Sequence, residues 1–76
     1  MREYRAMAVH RVVVLALPGV FPFELGIPAR VFRAAVGRGG TPLYEVTTCS
    51  IDGRPVATNA DFTIGVAHDQ AALARA

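Results

Sequence analysis

Glu24 has the most distinctive chemical setting in the sequence. It is the one ionisable residue between Arg11 and Arg30, and it follows an apolar stretch that ends in Pro18-Gly19. Because its neighbours are apolar, we expect its carboxyl group to be poorly solvated and able to donate or accept a proton. A Glu in the first turn of a helix also interacts favourably with the helix dipole, so a purely structural role is the alternative.

The other candidate groups have less specific patterns. Cys49 lies within a predicted strand, where a thiol is usually a small buried apolar group, and a single cysteine excludes an internal disulfide. His10 and His68 have no partner at the spacing of a metal site. The glycines between the first strand and the first helix match no phosphate-binding motif. We therefore expect no metal and no cofactor.

Composition indicates a folded globular protein. Apolar residues make up 53% of the chain and charged residues 18%, which argues against disorder. The net charge of +2 comes from scattered arginines, so no DNA-binding patch is expected within the chain. The lone cysteine, the absence of a signal-peptide pattern and the absence of a long apolar run predict a cytoplasmic protein without a membrane span.

The apolar run at residues 12–17 predicts a strand covered on both faces, which is typical of α/β folds. In such folds, ligands gather beyond the carboxyl ends of the strands. An amphipathic helix follows, in which Pro28 would lie in the first turn and Gly37 would end the helix. Arg30 and Arg33 should face solvent. The side facing the sheet should carry Ile27, Val31, Ala34 and Ala35.

Residues 44–50 are rich in β-branched and aromatic side chains and predict a second strand, parallel to the first and more exposed than it. Asp52-Gly53 predicts a turn. Two short strands within 54–58 and 61–66 should form an edge hairpin, after which Asp69 is suited to cap a helical stretch.

Residues 18–32 resemble the first loop and helix of the PfpI-type superfamily, within the class I glutamine-amidotransferase-like fold. Residues 44–50, 52–56 and 59–64 follow that superfamily's order, so the resemblance extends over residues 10–76. The resemblance includes an acidic residue four positions before a proline (Glu24 and Pro28 here), which is typical of that superfamily. Within the superfamily the chain is most similar to GlxA-type regulators, which join this domain to a C-terminal AraC-type DNA-binding domain.

The resemblance implies a flavodoxin-like three-layer sandwich with a parallel sheet, of which only the first βαβ portion is present. Residues 1–9 would be a polar leader and residues 10–76 the N-terminal fragment of the domain. In the superfamily's enzymes, the acidic residue at the position of Glu24 hydrogen-bonds a cysteine nucleophile on a strand-to-helix elbow. That cysteine would lie beyond Ala76, and Cys49 does not match it. The chain alone is therefore not expected to be an active enzyme.

The expected function is that of a ligand-sensing domain in a GlxA-like AraC-family transcriptional regulator. Glu24 and Gly19 would line the pocket for a small-molecule effector. DNA would be bound through a C-terminal domain that this chain lacks, no membrane would be involved, and the full-length parent would be a homo-oligomer. The alternatives are a stand-alone PfpI-like cysteine hydrolase, hydratase or glyoxalase, and an α/β domain without chemistry.

Overall fold

The structure, a computed structural model, describes residues 9–76, so most of the predicted polar leader lies outside the described residues. The chain is mixed α/β. Its elements are β1 (His10–Leu15), α1 (Pro22–Ala34), β2 (Tyr44–Cys49), β3 (Val56–Ala57) and β4 (Thr63–Ile64), with short 3₁₀ helices at Arg38–Gly40 and Gln70–Arg75.

The two longer strands form a parallel pair, which confirms the predicted β-α-β order. Val12 lies opposite Val46, and Leu15 lies opposite Cys49. The ladder continues one residue beyond β1, since the Ala16 N–H donates to the carbonyl of Cys49 over 2.8 Å. The predicted bounds of the first strand, residues 12–17, were two residues too late, because β1 begins at His10 and ends at Leu15.

Helix α1 begins earlier than predicted. Pro22 occupies the start of the helix, where its fixed φ and missing N–H are tolerated. The Leu25 N–H donates to the carbonyl of Phe21 over 2.9 Å and closes the first turn. The placement of Pro28 in the first turn was therefore wrong. Pro28 lies inside the helix, where its missing N–H leaves the carbonyl of Glu24 without the usual intrahelical bond.

The predicted inner face of α1 was also wrong. The half-buried residues of α1 include Leu25, Ala29 and Phe32, and the centre of the Phe32 ring lies 4.7 Å from the centre of the Tyr44 ring of β2. Ile27 and Val31 are 40% and 56% exposed and lie on the opposite side. Both sides of this helix carry apolar residues at helical spacing, so periodicity alone could not select the side that packs on the sheet. Arg30 and Arg33 are exposed, as predicted.

The end of α1 does not use a glycine cap, contrary to the prediction for Gly37. Ala35, with an extended backbone, follows the last helical residue, and Gly37 has a negative φ. The left-handed conformations fall instead at Gly39 and Gly40, with φ of 74° and 82°, which turn the chain toward β2.

The most buried residues gather where the two long strands end, and the prediction that 12–17 is the most buried segment was wrong. Residues 12–15 are only half-buried, and Leu17 is 52% exposed. A single helix covers one face of the two-stranded sheet, and a short 3₁₀ helix contacts the other face. The centres of the two strands therefore stay partly exposed to solvent. The buried residues are Ala16, Cys49, Ser50, Val56, Thr58 and Ala72.

The segments after β2 confirm the predicted turn and hairpin. Gly53 has φ 76°, and the Asp52 carboxylate accepts the Arg54 N–H over 3.0 Å. β3 and β4 are antiparallel, as a hairpin requires, although each has only two residues. Asp69 caps the next segment by accepting the Ala71 N–H over 2.9 Å, but that segment is a 3₁₀ helix. Among residues 9–76, no helix is long and apolar enough to cross a membrane.

The isolated 76-residue chain should unfold without a sharp thermal transition. Large apolar side chains such as Phe23, at 77% exposure, and Phe21, at 55%, stay in contact with water. Backbone ordering costs about 1–2 kcal/mol per residue, and a two-stranded sheet with one helix buries little apolar area to offset it. Circular dichroism of the monomer on heating measures this directly. A steep, reversible transition would contradict the expectation.

Candidate functional site

The loop from β1 to α1 turns sharply at Gly19. Its φ is 86°, in the left-handed region, and a Cβ atom there would meet nothing within 4 Å. The requirement for glycine is thus set by the backbone conformation and not by space. The Gly19 N–H donates to the carbonyl of Ala57 over 2.8 Å, which ties the turn to β3.

The hairpin of β3 and β4 holds this loop at a second point. Val20 forms an isolated parallel bridge with Thr58, and the Asn59 N–H donates to the carbonyl of Val20 over 3.0 Å. The Thr58 hydroxyl donates to the carbonyl of Phe62 over 2.7 Å and accepts the Ala60 N–H over 3.1 Å. Buried Thr58 therefore fixes the hairpin turn, and the hairpin fixes the entry to α1.

Replacing Gly19 by alanine should loosen this connection. An L-residue in the left-handed region costs about 1–2 kcal/mol, so amide exchange at Val20 and Asn59 should accelerate by about tenfold. Gly65→Ala is the matched control, because Gly65 lacks a positive φ and its added Cβ would also meet open space. Equal acceleration in both variants would show that the turn at Gly19 has no special conformational requirement.

Glu24 lies in the first turn of α1, as predicted, which is the helix that follows β1 along the chain. The expectation of a poorly solvated carboxyl group was wrong, because Glu24 is exposed and its neighbour Phe23 is 77% exposed. Gly19 and Glu24 thus lie in one loop-and-helix segment that the hairpin anchors. Whether they line an effector pocket stays a prediction.

A groove that the sequence did not predict lies between α1, β2 and residues 64–68. Its volume is about 470 Å³, and neither Glu24 nor Gly19 lines it. Its apolar wall includes Leu25, Ala29 and Val46. The one unusual residue that the sequence shows on its helical wall is Gly26, because glycine inside a helix costs about 1 kcal/mol relative to alanine.

The polar groups of the groove are neutral or basic. Thr48, Arg33 and His68 line it, and no carboxylate belongs to the lining. An apolar wall with a few polar groups and a basic side chain is suited to an amphiphilic or acidic ligand.

Cys49 and Ser50 are buried and contribute no accessible nucleophile. Cys49 is fully buried at the end of β2, as expected of a small apolar core residue. The Ser50 hydroxyl donates to the carbonyl of Arg54 over 2.9 Å, which supports the turn after β2. Within residues 9–76, no cluster of three or more His, Cys, Asp or Glu residues could hold a metal ion.

Comparison of the chain with protein-family models, with curated proteins and with solved structures finds no match.

Proposed function

We propose that this chain forms the first β-α-β unit of the ligand-sensing domain of a GlxA-like AraC-family transcriptional regulator, with a flavodoxin-like sandwich as the complete domain. Gly19 and Glu24 would line the pocket for a small-molecule effector at the carboxyl end of β1. DNA contacts would be made by a separate AraC-type domain of the full-length protein.

The observation that carries the proposal is the anchored turn at the carboxyl end of a parallel strand. α/β folds bind ligands at this edge of the sheet, because the loops between strands and helices meet there. Two hydrogen bonds from Gly19 and Asn59 fix the loop to the hairpin, so the start of α1 is held in place before a ligand arrives. A pre-organised segment loses less conformational entropy on binding than a free loop.

The chemistry of Glu24 suits recognition of a ligand that donates hydrogen bonds. An ionised carboxylate accepts hydrogen bonds and does not donate them, so an amide, a hydroxyl or an ammonium group would be preferred. Glu24 is exposed, so residues 9–76 do not bury its carboxylate oxygens. A pocket around it would therefore be completed by groups outside this chain.

DNA binding by the full-length protein tests the proposal against the enzyme alternative. The regulator should retard the DNA upstream of its own gene in a gel-shift assay, with a scrambled duplex of equal length as the control. Fractions of a metabolite extract should change that binding. Hydrolysis of ester or amide substrates, or turnover of methylglyoxal, without specific DNA binding would instead identify a stand-alone PfpI-like enzyme.

A further inference from the structure

The strand β2 has one partner, β1, and its other edge borders the groove. The His10 N–H donates to the carbonyl of Leu43 and the Ala16 N–H to that of Cys49, so the odd-numbered residues of β2 direct their backbone groups toward β1. Backbone groups alternate in direction along a strand, so those of Val46 and Thr48 point to the outer edge. Within residues 9–76, Val46 has no backbone hydrogen bond on that side, whereas the Thr48 carbonyl belongs to the bridge between Cys49 and His68.

A second ladder begins on this outer edge and stops after one bridge. Cys49 forms an isolated parallel bridge with His68, and the Ser50 N–H donates to the carbonyl of His68 over 3.1 Å. Ahead of this bridge, residues 64–67 separate from β2 and form the far side of the groove. The outer edge is therefore a pairing surface that the described chain uses only at one end.

Helix α1 covers this edge without filling the space beside it. Gly26 and Ala29 are the small residues on the side of the helix that lines the groove. A Cβ atom on Gly26 would meet nothing within 4 Å. The groove is consequently open to an added side chain beside Leu25.

We propose that the outer edge of β2 binds an extended segment of a partner protein in which apolar residues alternate with polar ones and one residue is acidic. The partner's main chain would pair with the N–H and C=O groups of Val46 and with the N–H of Thr48, as in the addition of a peptide strand to an exposed sheet edge. Its carboxylate would lie against Arg33, in the last turn of α1. The groove contains basic groups and no carboxylate, which selects an acidic segment.

Pairing of β2 with β2 of a second copy is sterically disfavoured. Helix α1 packs mainly on β2, so antiparallel pairing about a two-fold axis would place the two copies of α1 over adjacent strands. Neighbouring strands are about 4.8 Å apart, whereas packed helices need about 8–10 Å. A single extended strand brings no helix of its own and avoids this clash.

Fluorescence anisotropy with a labelled peptide tests the proposal on the full-length protein. The probe is an eight-residue peptide of alternating valine and threonine that ends in glutamate. Gly26→Leu, which fills the groove, and Arg33→Glu, which reverses its charge, should each weaken binding at least tenfold. Gly26→Ala and Arg30→Glu are the matched controls and should stay within about twofold of the parent chain. Backbone N-methylation of the peptide should abolish binding.

Several results would overturn the proposal. These are no binding of the peptide by the parent chain, equal losses for Arg30→Glu and Arg33→Glu, and full binding of the N-methylated peptide. Displacement of the peptide by free glutamate at an equal concentration would assign the groove to a small carboxylate instead. Sedimentation that shows a dimer broken by Gly26→Leu would assign it to a second copy. Failure of this proposal can be distinguished from failure of the proposed sensing function, because none of these variants changes Gly19 or Glu24.

Discussion

Replacing Glu24 by glutamine should reduce the effector response of the proposed full-length regulator more than tenfold while leaving its stability nearly unchanged. Glutamine keeps the size of the side chain but removes its charge, so a charge-assisted hydrogen bond to the effector is lost. Such a bond contributes about 1.5–3 kcal/mol, and tenfold corresponds to about 1.4 kcal/mol. The response is the change in affinity for upstream DNA when the active extract fraction is added.

The free energy of unfolding of the same two proteins supplies the control. Glu24 is exposed at the start of α1, where a favourable dipole interaction contributes about 0.3–1 kcal/mol. We therefore expect Glu24→Gln to lower stability by less than about 1 kcal/mol. An unchanged effector response together with reduced stability would show that Glu24 serves the helix alone.

Replacing Ala72 by aspartate should remove most of the protection of the β1–β2 ladder. Ala72 is 2% exposed, in the 3₁₀ helix Gln70–Arg75 that contacts β1 and β2 on the face opposite α1. A short carboxylate at a buried position cannot reach water, and an uncompensated buried charge costs about 3–5 kcal/mol. Amide exchange at Val12 and Val14, measured on the full-length protein, reports the loss.

Ala74→Asp is the matched control for this prediction. Ala74 lies in the same 3₁₀ helix and is exposed, so the substitution makes the same chemical change in contact with water. Exchange of the ladder amides should differ little from that of the parent chain. Comparable acceleration in both variants would show that Ala72 does not anchor the 3₁₀ helix to the sheet.

Local signals in the sequence predicted the order of the elements well. The β-branched run at residues 12–14 and the β-branched and aromatic residues of β2 are of the types that are enriched in strands. Turn chemistry was equally informative, since the carboxylates of Asp52 and Asp69 bond to backbone N–H groups two residues ahead. The parallel pairing follows from the intervening helix.

Burial could not be predicted from local patterns. Apolar residues at helical spacing occur on both sides of α1, and only the sheet determines that Phe32 packs inward while Val31 stays exposed. The predicted start of α1 was wrong for a related reason. Pro28 was assigned to a first turn because proline is tolerated there, yet this helix accepts it internally.

The candidate site was predictable only in part. The position of Glu24 in a first helical turn followed from the sequence, as did the turn at Gly19. The hairpin that anchors this turn depends on contacts between residues far apart in the chain, such as Gly19 with Ala57. The groove beside β2 requires the helix, the strand edge and residues 64–68 together, so no single segment indicates it.

Amide hydrogen exchange of the full-length protein, with and without the extract fraction that changes its DNA binding, tests the central claim most directly. If Gly19 and Glu24 line the effector pocket, exchange over residues 19–25 should slow when the active fraction is added. The same fraction should leave exchange in this segment unchanged in Glu24→Gln. Slowed exchange confined to other parts of the protein, with residues 19–25 unaffected, would contradict the assignment.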